Sequence, residues 1–239
     1  MIKRITLSIF ILCTILSDLF ADPSKGQWKQ FIYTDGLSSN YIFDVKKDDK
    51  DRIWIGTQNG VTLIDGSNIK KYGAADGLPA ADIVKIVSLN NTIYAATSSK
   101  GIYVLNNDYF EKSTIVQGSE LYTMAKVGDQ LFVSTNLENV LFDGSDVSFM
   151  GKGFPNAGVR DVFTVDGQTW YATENKIIQK NKNRFVSNLV EFPSSKTKIQ
   201  ALLVVDDIEY FGTNQGLWSR NGKGNLKRLK NINVLSLDQ

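Results

Sequence analysis

The side chains of this chain able to act on another molecule are carboxylates, amides, hydroxyls, lysines and arginines, because histidine is absent from all 239 residues. Without imidazole, the most common general base and metal ligand is missing. Two carboxylate pairs, Asp48 with Asp49 and Asp206 with Asp207, have the makings of glycoside hydrolysis, which needs two acids about 5 to 10 Å apart across a substrate. Both pairs stand where turns are expected, and acidic residues are simply good turn formers, so no catalytic residue is assigned. No calcium-loop or phosphate-binding glycine pattern is present, and neither a metal nor a cofactor is expected. The chemistry that remains is recognition by hydrogen bonding, for which amides supply donors and acceptors together. Asn40, Gln58, Asn59, Asp82, Ser99, Lys100, Asn136, Arg160, Glu174, Asn214 and Gln215 are the candidate ligand-binding residues.

Their positions follow a repeat. An aromatic residue stands three places before a threonine five times: Trp54 and Thr57, Tyr94 and Thr97, Phe132 and Thr135, Trp170 and Thr173, Tyr210 and Thr213. A period of about 39 residues marks an architecture in which one supersecondary unit is copied. The first copy divides into four extended runs, Ile42 to Val45, Ile53 to Thr57, Val61 to Ile64 and Ile69 to Tyr72, separated by Asp, Asn and Gly turns. Four short strands per repeat make one blade of a β-propeller, so the expected fold is all-β with five complete blades, at about 41–76, 82–116, 121–154, 159–193 and 198–231. The repeated aromatics are expected in the core between blades, and the threonines are expected to be structural. After each threonine, Gly60, Gly101 and Gly216 recur, and Asn139 and Asn175 are read as their left-handed equivalents in the third and fourth copies.

In a propeller, the loops between second and third strands and the loops between blades share one face, around the mouth of a central channel. The first set carries Gln58, Asn59, Ser99, Lys100, Asn136, Glu174, Asn214 and Gln215; Asn40, Asp82 and Arg160 stand near the starts of innermost strands. Such a ring suits a polar ligand. Residues Gln27 to Tyr33 read as an outermost strand without its own blade, and Asn233 to Asp238 as an innermost strand of a sixth. That reading favours a piece of a larger propeller; a compact five-bladed ring with extra terminal strands is the alternative.

The segment Asp35-Gly36-Leu37-Ser38, followed by Ile53-Trp54-Ile55-Gly56-Thr57 and Asn59-Gly60-Val61, resembles the two-component regulator propeller repeat. The second copy keeps Asp76-Gly77-Leu78-Pro79, and the fifth keeps Tyr210-Phe211-Gly212-Thr213-Asn214-Gln215-Gly216-Leu217. That resemblance implies an extracytoplasmic, non-enzymatic ligand-sensing or binding module, with carbohydrate as one ligand class. An envelope or secreted protein–protein interaction scaffold is the alternative, and a carbohydrate-active enzyme a third reading. The chain departs from the family pattern in having no phosphoacceptor histidine and no kinase core, so signalling output would lie in an envelope partner. The run Thr164 to Trp170 looks like the aspartate box of sialidases but lacks one residue between Asp166 and Gly167, and reads as an ordinary Asp-Gly turn.

The N-terminus has Lys3 and Arg4, an apolar run from Ile5 to Leu16, and then Ser17 to Asp22. This reads as a secretory signal peptide over residues 1–21, too short to span a bilayer as a helix; an uncleaved anchor is the alternative. Export to the periplasm or beyond follows. Cys13, the one cysteine, lies inside the leader, so the mature chain is expected to have neither disulfide nor thiolate chemistry. The 27 Lys and Arg nearly balance the 25 Asp and Glu, and the leader carries Lys3, Arg4 and Asp18. A near-neutral chain gives no electrostatic case for nucleic acid, and the basic stretch Arg220 to Lys230 reads as a solvated outer hairpin.

Overall fold

A computed structural model describes residues 30–117, 120–156, 158–165, 167–181, 184–222, 224–234 and 237. The chain divides into two units, Met1–Phe31 and Ile32–Gln239, and the architecture below belongs to the second. The expected signal peptide lies outside the described residues, as does Asp166 of the Asp-Gly turn. Among the described residues, no helix is long and apolar enough to cross a membrane.

Among the described residues, twenty strands form five four-stranded antiparallel sheets, each a simple meander. Blade 1 contains β1 (Ile42–Lys47), β2 (Ile53–Thr57), β3 (Gly60–Asp65) and β4 (Asn68–Tyr72). Blade 2 contains β5 (Ile83–Leu89), β6 (Thr92–Thr97), β7 (Ile102–Asn106) and β8 (Tyr109–Lys112). Blade 3 follows with β9 (Leu121–Val127), β10 (Gln130–Thr135), β11 (Asn139–Phe142) and β12 (Val147–Phe149). Blade 4 contains β13 (Asp161–Val165), β14 (Gln168–Ala172), β15 (Lys176–Asn181) and β16 (Arg184–Leu189). Blade 5 contains β17 (Ile199–Val205), β18 (Ile208–Thr213), β19 (Gly216–Asn221) and β20 (Lys227–Lys230). The first strands pack in sequence order, β1 on β5, β5 on β9, β9 on β13 and β13 on β17. This is a β-propeller.

Four apolar clusters fill the four junctions between consecutive blades. Between blades 1 and 2, Trp54, Val61, Leu63 and Tyr72 from one sheet meet Ile83, Ile86, Ala95 and Phe110 from the next. The later junctions repeat the arrangement with Tyr94 and Met124, with Phe132 and Tyr171, and with Trp170 and Phe211. Burying each large side chain stabilises by roughly 1.5 to 3 kcal/mol, so these junctions hold the blades together. Trp54, Tyr94 and Phe132 are buried as the repeat predicts. Trp170 and Tyr210 are only partly buried; for Tyr210 the reason is that no complete sheet lies beyond blade 5 among the described residues.

The repeated threonines cap hairpins. Thr57, Thr97 and Thr213 donate from Oγ1 to the carbonyls of Gly60, Gly101 and Gly216 at 2.8, 2.8 and 2.7 Å. Each also accepts a backbone N–H from its own loop, Asn59, Lys100 and Gln215 respectively. The Asp-Gly-Leu motif has an equally local explanation. Asp35 and Asp76 each close a single 3-10 turn by accepting the N–H of Ile32 and Gly73, and Leu37 and Leu78 are buried behind them.

Two expectations need correcting. Neither Asn139 nor Asn175 has positive φ; in blades 3 and 4 the hairpin closes instead at Glu138 and Lys176, whose carbonyls take the Thr135 and Thr173 N–H groups. Asn139 is the first residue of β11, where its amide donates to the Pro155 carbonyl at 2.8 Å. The expected strand from Gln27 to Tyr33 is likewise absent from its described part. Tyr33 opens the 3-10 turn Tyr33–Asp35 and its N–H goes to Asn40 Oδ1, a local turn that competes with any ladder.

Candidate functional site

Four of the five first strands begin with an extra residue. The ladder to the second strand slips by one between Ile42 and Asp44, between Ile83 and Lys85, opposite Ser134 and Thr135, and between Ile199 and Ala201. In blade 4, Arg160 N–H reaches the Ala172 carbonyl at 2.7 Å although Asp161 is the ladder partner of Ala172. A β-bulge of this kind re-aims side chains and is frequent at barrel rims and binding sites. The four bulged residues Phe43, Val84, Tyr122 and Gln200, and Arg160 at the corresponding place before β13, all line one central channel of about 810 Å³.

The channel wall behind them carries Asp44, Lys85, Thr123, Asp161 and Ala201, one from each blade. Two of these tie neighbouring blades together: Asp44 Oδ2 accepts the Ile86 N–H at 2.7 Å and Asp161 Oδ2 the Leu202 N–H at 2.9 Å. Burial pushes the Asp161 carboxyl up, opposed by the Leu202 and Val162 N–H groups and by the charge of Lys85. The Asp161 carboxylate ties blade 4 to blade 5 through the Leu202 N–H.

At the channel mouth, one charged cluster spans blades 3, 4 and 5. The Arg160 guanidinium lies 3.9 Å from the Tyr122 ring centre and donates to Glu174 Oε1 at 2.9 Å. Lys198 Nζ meets the same carboxylate at 3.0 Å. The Lys198 hydrogen bond, with help from Arg160, holds Glu174 below the usual carboxylate range although burial opposes it. Phe43 stands half exposed, and the buried Gln200 Oε1 accepts no hydrogen bond among the described residues. An aromatic face, a partly neutralised guanidinium and an amide oxygen without a donor are the groups that orient a polar ligand in a pre-formed cavity.

The structure separates the residues that sequence grouped. Arg160 and Glu174 come together at the channel mouth, while Gln58, Asn59 and Asp82 line a different cleft of about 440 Å³ between blades 1 and 2. Asn40, Asn214 and Gln215 are tied to other parts of the protein: Asn40 to the Tyr33 N–H before β1, and Asn214 and Gln215 to the connection between blades 4 and 5, through Lys198 N–H, the Lys196 carbonyl and the Thr197 hydroxyl. Ser99, Lys100 and Asn136 are exposed on the second-to-third-strand loops. The residues sequence reasoning missed are Phe43, Tyr122, Gln200 and Lys198. A signal existed, since the bulged residue always stands 13 or 14 places before the repeat threonine.

Asp48 lies elsewhere and is structural. Its carboxylate accepts the N–H groups of Lys50 and Arg52, Arg52 Nε and Trp54 Nε1 at 2.8 to 3.0 Å. Burial alone would raise its pKa, but the donors from Trp54, Arg52 and the backbone outweigh that and hold it at about 2. Asp206 and Asp207 are the two left-handed residues of a tight hairpin turn.

The model of the family described as Domain of unknown function (DUF5074) matches residues 39–205. The chain belongs to this family. The DUF5074 match begins in the loop that carries Ser39 and ends at Val205, the last residue of β17. A histidine kinase, P4, of Formosa agariphila is 31% identical over 65 residues, which are 27% of this chain and 5% of that protein. The extracellular domain of the hybrid two-component system BT4673 from B. thetaiotaomicron superposes with a TM-score of 0.67 at 20% identity, covering 83% of this chain and 29% of that one. The WD40 propeller of Doa1 gives a TM-score of 0.56 at 11% identity, over 81% of this chain and 70% of that one. This chain therefore spans a small part of the length of the kinase and under a third of the BT4673 domain. The fold is that of propellers.

Proposed function

We propose that this DUF5074 propeller is an extracytoplasmic, non-enzymatic module that senses or binds a polar ligand, carbohydrate being the leading class, at the mouth of its central channel. One observation carries the reading: the entries to the five first strands, four of them bulged, deliver Phe43, Val84, Tyr122, Arg160 and Gln200 to a single channel of about 810 Å³, inside the size range of ligand pockets. Phe43 offers a face for the C–H side of a sugar ring, and the Arg160 guanidinium that lines the channel offers donors to its hydroxyls. The kinase P4 and the extracellular BT4673 domain support a place in envelope signalling. Two of the channel carboxylates, Asp44 and Asp161, accept backbone N–H groups, which supports binding over catalysis.

The test is a melting-temperature screen of the chain against a panel of polysaccharides and oligosaccharides, since a ligand of the folded form stabilises by about 2.7 kcal/mol at a hundred times its Kd. The expected result is a shift with one glycan class, lost in Gln200→Ala and Arg160→Ala. A shift that both variants keep would place the ligand elsewhere, and no shift across the panel would reject carbohydrate.

A further inference from the structure

With one exception, every described carboxylate that the fold takes at least partly out of water has a donor. Asp44, Asp76, Glu138 and Asp161 accept backbone N–H groups. Asp48 faces Arg52, Glu174 faces Arg160 and Lys198, and Glu209 faces Arg220. The exception is Asp82, half-buried at the entry to blade 2, where its own carbonyl takes the Ser98 N–H. Among the described residues its carboxylate has neither a hydrogen bond nor an ion pair. Unlike Gln200 Oε1, its oxygens are not sealed off, and Asp82 lines the cleft of about 440 Å³ between blades 1 and 2.

The hairpin on the other side of that cleft departs from its counterpart in the same way. Gln58 and Asn59 follow Thr57 as Asn214 and Gln215 follow Thr213. In blade 5 both amides are used: Asn214 Oδ1 accepts the Lys198 N–H at 2.8 Å, and Gln215 Oε1 accepts the Thr197 hydroxyl at 2.9 Å. In blade 1 neither side chain makes a hydrogen bond among the described residues, and both line the cleft with Asp82. The rest of the described lining is glycine, alanine and Pro79, without an aromatic or a basic side chain. Three polar groups therefore meet in one cleft with their hydrogen-bonding capacity unused, and the one charge among them is negative.

We propose that this cleft binds a primary ammonium group carried on a short aliphatic stem. An ammonium has three donors and no acceptor, and the Asp82 carboxylate, Gln58 Oε1 and Asn59 Oδ1 supply three acceptors. The stem lies along Pro79, Ala80 and Ala81, and the volume is that of a small-ligand pocket. A guanidinium gains by stacking on aromatic faces, which this lining lacks, and a neutral sugar leaves the charge of Asp82 unanswered. The site is apart from the channel of Arg160 and does not depend on a carbohydrate ligand there. A free amine and a lysine side chain of another polypeptide carry the same chemistry.

The probe is cadaverine, titrated into the whole protein by calorimetry beside the pentanediol of equal length and the acetylated, amidated lysine monomer. Saturable binding of cadaverine is expected at roughly millimolar concentration or below, weakened at least about tenfold by Asp82→Asn and severalfold by Gln58→Ala, with none by the diol. Asp82→Asn should keep its melting temperature, because the carboxylate has no partner to lose. Capped lysine binding as well as cadaverine assigns the site to a polypeptide side chain, and cadaverine alone assigns it to a free amine. No saturation up to about 10 mM, equal binding by the diol, or unchanged affinity in Asp82→Asn overturns the proposal. Loss in Arg160→Ala equal to that in Asp82→Asn overturns it in favour of the channel, and calcium binding in place of cadaverine overturns it in favour of a metal ion.

Discussion

Two buried carboxylates in this propeller have opposite environments and opposite consequences. Asp48 accepts four donors in the turn before β2 and is held at about 2. Its folded pKa is depressed, so the stability it contributes is present above the ordinary carboxylate pKa and is lost as pH falls from about 4 towards 2; one unit corresponds to about 1.4 kcal/mol. Asp48→Asn should cost about 1 to 3 kcal/mol at neutral pH, because the indole and guanidinium donors lose their charged acceptor, and denaturant titrations from pH 7 to pH 3 should show a flatter acid limb than wild type. Asp161 is raised by burial, so it favours the folded state at low pH and ceases to as pH climbs through its folded pKa. Asp161→Asn keeps an acceptor for the Leu202 N–H and removes the buried charge. The same titrations should find it neutral or stabilised at pH 7, and a loss as large as that of Asp48→Asn would contradict the strand-tying role.

At the scale of strands and turns, each blade is specified locally and joined through close contacts. Thr57 closes the β2–β3 hairpin with two hydrogen bonds in a fully buried position. Thr57→Val should therefore cost about 1 to 2 kcal/mol despite its similar shape, since Asn59 N–H and the Gly60 carbonyl lose a partner. Gly56 lies where β2 touches β5, and a methyl there would overlap the Ile83 carbonyl, which is backbone and cannot swing away. Gly56→Ala should cost roughly 1 to 3 kcal/mol, measured by the midpoint of urea unfolding. Gly212→Ala should cost less, because the nearest atom is the Val234 side chain. Strand boundaries in blade 1 were legible to within two residues because turn residues and alternation are local signals. The left-handed reading of Asn139 and Asn175 failed because composition resembles a turn there while the hairpins close at the neighbouring Glu138 and Lys176.

For the whole molecule, the blades are one stack of shared interfaces, and damage at one junction weakens both sheets that meet there. Trp54 fills the junction of blades 1 and 2 and donates to Asp48. Trp54→Ala should cost about 3 to 5 kcal/mol, and hydrogen exchange should show protection lost in β5 as well as in β2. What the sequence by itself determined is the repeated unit: its five copies, its four strands, its core aromatics and its capping threonines are set by residues within about forty positions of one another. Only the tertiary structure decided the channel site and the cleft of Asp82. Phe43, Tyr122, Arg160 and Gln200 are separated by whole blades and meet because the entry to each first strand turns a side chain into the common channel. Likewise, Gln58, Asn59 and Asp82 read in the sequence like any other polar loop residues. They share a cleft apart from Arg160 because the connection to blade 2 passes the hairpin of blade 1, a relation between sheets that no local pattern encodes.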